Sequence, residues 1–124
     1  MTSMSAVLLA RPLPPPRASQ VHPRLPAWLL PALRDAYPEL AAPRVTAGEM
    51  LSRLERQIGC SVFNHYGTDP DGNFCSEPYA RSCRVCQTAA REFAQRLGVR
   101  LEVSDSTFHA AHIAECVRFT FHRP

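Results

Sequence analysis

Proline is concentrated at the start of this 124-residue chain, where nine of its 12 prolines precede residue 45. Proline lacks a backbone N–H donor and interrupts helices and central strands, so long regular elements are confined to the later part of the chain. The sequence therefore predicts two parts. Residues 1–44 form a proline- and arginine-rich arm, largely extended or disordered, and residues 45–124 form a single small domain.

The balance of basic and acidic residues also changes at residue 45. All 14 basic residues are arginine, and the arm holds five of them against two carboxylates, whereas the domain holds nine of each sign. The net charge of +3 therefore belongs to the arm, and we expect any nucleic-acid contact to be made only through it. No apolar run approaches the roughly 20 residues that span a bilayer, so no membrane partner is expected. Met1–Ala10 does not have the features of a secretory signal, which favours a cytoplasmic location.

One apolar stripe interrupts the arm. Trp28, Leu29, Leu30, Leu33 and Tyr37 recur at helical spacing, and prolines limit this helix to one or two turns. An exposed tryptophan with three leucines promotes aggregation, so we expect the stripe to dock on the domain.

From Val45 onward the pattern predicts regular elements. Thr46 and Glu49 have the spacing of a capping box, and Gly59 suits the end of the helix that follows. Asp69-Pro70-Asp71-Gly72 predicts a hairpin turn. The expected class is α+β, with two helices packed on one face of a small, mostly antiparallel sheet in the order α-β-β-α-β-β. The later elements are predicted as strands over Cys60–Tyr66 and Asn73–Ser76, a helix over Tyr79–Leu97, and strands over Val99–Val103 and Val117–Phe121.

The cysteines raise the question of a metal. Five cysteines without a secretory signal do not predict a disulfide framework. Cys83-x2-Cys86 has the spacing with which two thiolates grip tetrahedral zinc, although both residues also lie on the apolar stripe of their helix and could simply pack in the core. A zinc site could be completed by ligands drawn from Cys75, His109, His112 and Cys116.

Polar and aromatic residues crowd between His65 and Tyr79, and a second loop holds His109 and His112. Loops carried on a rigid scaffold are common places for function. If the two loops share one end of the sheet, His65, Glu77 and His109 are weak candidates for acid–base catalysis. The predicted binding surface comprises Trp28, Tyr66, Asp69, Asp71, Tyr79 and His112.

The chain lacks the hydrolase elbow, the Walker loop and the dinucleotide-binding glycine pattern. The leading hypothesis is a small protein-binding or regulatory module without assigned catalysis, which contacts a protein partner. One alternative is a structural zinc module that touches nucleic acid through the arm. The other is a small hydrolase or metal-dependent enzyme that uses the histidine and carboxylate loops.

Overall fold

A computed structural model describes residues 24–78, 84–105 and 117–124 of the chain. Within these residues, three α-helices and a four-stranded antiparallel sheet confirm the predicted α+β class. None of the described helices is long and apolar enough to cross a membrane. The helices are α1 (Leu29–Ala36), α2 (Ala47–Ile58) and α3 (Arg84–Leu97), and the strands are β1 (Asn64–Thr68), β2 (Phe74–Glu77), β3 (Leu101–Asp105) and β4 (Val117–Phe121).

Helix α2 begins and ends as its sequence predicts. The Thr46 hydroxyl accepts a hydrogen bond from the amide of Glu49 at 3.1 Å, and the Glu49 carboxylate accepts one from the amide of Thr46 at 2.8 Å. These reciprocal bonds satisfy amides that the first helical turn leaves without partners. At the other end Gly59 has φ of 78°, a left-handed conformation in which a side chain would be strained.

Strand β1 begins later than predicted. The expected strand was Cys60–Tyr66, whereas pairing runs over Asn64–Thr68. The amide of Phe63 donates to the Glu55 carboxylate of α2 at 2.7 Å, so this part of the backbone is bonded to the helix rather than to a neighbouring strand. The Phe63 side chain is buried in the core all the same.

The sheet order is β1-β2-β4-β3, and this order gives its two faces different characters. Phe74 lies opposite Phe121 and Val103 lies opposite Phe119, and the three phenylalanines belong to the buried core beneath the helices. Alternate residues point to the other face, where Cys75 lies opposite Thr120. That second face is polar and is also buried at its centre.

The core extends across residue 45. Leu29, Leu33 and Tyr37 are at most 5% exposed and belong to the same cluster as the sheet phenylalanines. The Arg96 guanidinium of α3 lies 4.1 Å from the centre of the Tyr37 ring, which fixes α1 against α3. The predicted docking of this stripe is confirmed, and its short helix, α1, packs with the two helices expected for the domain. The part of the predicted arm before Arg24 lies outside the described residues.

Candidate binding surface

The residues predicted for catalysis are only partly described. His65 is exposed on β1 with φ of 47°, whereas Glu77 is 2% exposed at the end of β2. His109 lies outside the described residues, so the predicted trio remains a prediction.

Among the residues predicted for binding, Tyr66 and Asp71 are exposed, whereas Asp69 is nearly buried. One Asp69 carboxylate oxygen accepts bonds from the amides of Asp71 at 3.0 Å and Asn73 at 2.9 Å. The other accepts a bond from the Asn73 side-chain amide at 3.1 Å. Asp69 therefore holds the β1–β2 turn together, and its predicted contact with a partner stays a prediction.

Trp28 likewise faces inward. Its indole N–H donates to the carbonyl of Gly72 at 2.7 Å, and its ring packs against the core. This contact gives Trp28 a role within the fold, and its predicted place on a binding surface stays a prediction. Tyr79 and His112, the other two candidates for that surface, lie outside the described residues.

Cys86 is paired with Cys60 in a disulfide that links the end of α2 to the first turns of α3. This bond departs from the expectation of no disulfide framework, because the 26-residue separation carries no spacing signal. A sulfur held in a disulfide is not a thiolate, so Cys86 cannot serve as the predicted zinc ligand while the bond exists. Over residues 24–78, 84–105 and 117–124, no three Cys, His, Asp or Glu side chains are grouped to hold a metal ion. Four predicted ligands lie outside the described residues, namely Cys83, His109, His112 and Cys116.

Cys75 is a free, buried thiol on the second face of the sheet. Burial raises its pKa, and the neighbouring Thr120 hydroxyl and Arg118 guanidinium oppose this effect only in part. Its sulfur lies 3.7 Å from the Thr120 hydroxyl oxygen and 3.8 Å from an Asp69 carboxylate oxygen. A protonated and enclosed thiol is a poor nucleophile, so this cysteine acts as a packed polar residue.

An open groove runs between α3 and β3. Its main cavity has a volume of about 540 Å³, and an adjoining cavity of about 390 Å³ shares Thr88 and Glu92 with it. Val85 is 58% exposed and Val103 is 46% exposed, which leaves large apolar side chains in contact with water along this side. The apolar lining of the two cavities consists of Ile58, Val85, Ala89, Ala94, Val99, Leu101 and Val103.

Strand β3 forms one edge of the sheet beside this groove. The amide of His122 donates to the carbonyl of Arg100 at 2.9 Å, which makes these two residues a hydrogen-bonded pair. Such pairs alternate along an antiparallel ladder, so Glu102 and Ser104 bond to β4. The backbone groups of Leu101 and Val103 therefore point away from β4, and no strand among the described residues pairs with them.

Sequence reasoning identified the β3 strand but not its edge position. The alternation of Val99, Leu101 and Val103 shows which face is apolar, whereas the order of strands depends on contacts distant in sequence. Comparisons with protein-family models, curated proteins and solved structures give no match for this chain.

Proposed function

We propose that this protein is a protein-binding module that takes an extended segment of a partner protein as a fifth strand against β3. The single observation that carries the proposal is the outer edge of β3, which pairs with no strand among the described residues and where Leu101 and Val103 direct backbone groups outward beside an apolar groove. Addition of a strand to a sheet edge is a recurring mode of peptide recognition. The main-chain bonds supply affinity and the side chains of the added strand supply selectivity.

The groove defines the partner's chemistry on one side of the added strand. Leu101 and Val103 line the cavity from β3, and Ala94 lines it from α3, so alternate partner side chains that enter the groove should be apolar. Arg91 and Glu92 also line the cavity, and they offer charges of both signs.

The opposite side of the added strand meets different chemistry. The Glu102 side chain is 51% exposed there and lies 3.0 Å from the His122 ring nitrogen. A basic partner residue beside Glu102 would gain a favourable cross-strand charge pair. The preferred partner segment is therefore extended, with apolar residues alternating with polar ones and at least one basic residue among the polar set.

Peptide display against the full-length chain tests this proposal. Selected peptides should alternate apolar and polar residues, and synthetic copies should bind with a measurable Kd. Val103→Pro removes the outward N–H without touching a β3–β4 bond, so it should weaken binding by about tenfold. Val103→Thr keeps that N–H and is the matched control, with a much smaller effect.

Two outcomes would overturn the proposal. In one, the selected peptides bind Val103→Pro as tightly as the unaltered chain while circular dichroism shows both to be folded. In the other, the chain pairs with a second copy of itself through β3, which mass measurement in solution would reveal as a dimer that Val103→Pro dissociates.

A further inference from the structure

A row of polar side chains crosses the second face of the sheet. Asn64 lies opposite Glu77 across β1 and β2, and Ser104 lies opposite Arg118 across β3 and β4. The β2–β4 register pairs Ser76 with Phe119, and one further step along it sets Glu77 opposite Arg118. All four strands therefore contribute one polar residue each to a single row.

The two charged members of this row are buried without satisfying each other. Glu77 and Arg118 are each 2% exposed. Neither carboxylate oxygen of Glu77 has a hydrogen-bond partner among the described residues, and neither does Nη1 of Arg118. The ion pairs within this part of the chain join Arg96 to Glu39 and His122 to Glu102 instead. Burial of a charge without a partner is costly, so such groups need an explanation.

The neighbouring polar side chains on this face do have hydrogen-bond partners. Cys75 and Thr120 form the next cross-strand pair and contact each other, and the Asp69 carboxylate is saturated by the turn. Gly67, opposite Cys75 on β1, has no side chain. Within the described part of the chain, the buried side-chain atoms without a hydrogen-bond partner therefore belong to one acceptor, Glu77, and one donor, Arg118.

From this juxtaposition we infer that Glu77 and Arg118 bind a small zwitterion, namely a free α-amino acid. The ligand's ammonium donates to the Glu77 carboxylate, and its carboxylate accepts from the Arg118 guanidinium. Neighbouring strands lie roughly 4.8 Å apart, so one small molecule can reach both side chains. A metal cation would be repelled by Arg118, and a simple anion would leave Glu77 without a partner. A ligand with both charges satisfies both side chains.

Calorimetric titration of the full-length chain tests the inference directly. Each common L-amino acid is titrated singly, together with its N-acetyl form, which lacks the ammonium, and its amide form, which lacks the carboxylate. At least one free amino acid should bind, and both of its capped forms should bind at least about tenfold more weakly. If no free amino acid binds, or if either capped form binds equally well, the inference is wrong.

Two variants locate the site. Glu77→Gln keeps the shape of the side chain but removes its charge, and should weaken amino-acid binding by about tenfold to a hundredfold. Glu39→Gln, the matched control, changes an exposed carboxylate outside this row and should leave binding unchanged. Equal loss in both variants would contradict the assignment. Should Glu77→Gln fail to fold, the capped ligands still decide the question on the unaltered chain. This inference does not depend on peptide binding at β3.

Discussion

The indole N–H of Trp28 donates a 2.7 Å hydrogen bond to the carbonyl of Gly72, 44 residues further along the chain. This bond ties the segment leading into α1 to the tip of the β1–β2 hairpin. Trp28→Phe keeps an aromatic ring but removes the donor, and should lower the free energy of unfolding by about 1 kcal/mol. Urea denaturation followed by circular dichroism measures the change. Tyr66→Phe, which removes the hydroxyl of a side chain on the exposed side of β1, should change stability by less than about 0.5 kcal/mol.

Helix α1 contributes to the core rather than to a separate arm. Leu33 is 1% exposed within the main cluster, whereas Leu30 on the same helix is only partly buried. Leu33→Ala should therefore cost about 2–5 kcal/mol of unfolding free energy, and Leu30→Ala distinctly less. Urea denaturation of both variants tests this difference. Equal losses, or no loss for Leu33→Ala, would contradict the assignment of α1 to the core.

The capping box of α2 predicts a dependence of stability on pH. Hydrogen bonding from the backbone and hydroxyl of Thr46 lowers the pKa of Glu49 below its ordinary value. Because the folded-state pKa is depressed, this contribution is present above the unfolded-state pKa and is lost as pH falls through the folded-state pKa. Thr46→Ala should cost about 1 kcal/mol at neutral pH.

Urea denaturation from neutral to acidic pH separates that effect from a loss of packing. The difference in unfolding free energy between the Thr46→Ala variant and the unaltered chain should become smaller as Glu49 becomes protonated. A constant difference across the acidic range would show that the Thr46 hydroxyl does not stabilise the charged Glu49 carboxylate, since alanine at position 46 keeps the backbone bond to Glu49. Thr88→Ala, at an exposed position in α3, is the control and should show no such narrowing.

The Cys60–Cys86 disulfide should be a major source of stability. It closes a loop of 26 residues, for which a cross-link contributes about 2–4 kcal/mol. Cys60→Ser should lose that amount in urea denaturation, and a reducing agent should destabilise the unaltered chain equally. The reducing agent should have no further effect on Cys60→Ser. If the unaltered chain keeps its full stability after reduction, the bond is not a structural one.

Local features of the fold were readable from the sequence. The capping box at Thr46, the turn at Asp69 and the alternation around Val103 each depend on residues a few positions apart. Strand β1 begins later than its sequence predicts because the Phe63 amide donates to the carboxylate of Glu55, eight residues earlier, instead of to a neighbouring strand. That interaction has no pattern in the sequence.

The candidate sites depend on longer-range relationships. Glu77 and Arg118 are 41 positions apart and become neighbours only through the register of β2 and β4. Similarly, β3 is an edge strand because β4 pairs between it and β2. The sequence drew attention to Glu77 as a chemically active residue type but gave no reason to consider Arg118. The pairing of Cys86 with Cys60 could not be predicted for the same reason, since these residues are 26 positions apart and meet only in the folded chain.

Amide hydrogen exchange along β3 tests the proposed binding mode most directly. In the free chain the amides of Leu101 and Val103 should exchange rapidly, because they face outward, while those of Glu102 and Ser104 should be protected by bonds to β4. Saturation with a display-selected peptide should protect Leu101 and Val103 and leave the other two amides as they were. If Leu101 and Val103 still exchange rapidly at saturation, the peptide does not add a strand to β3 and binds elsewhere on the chain.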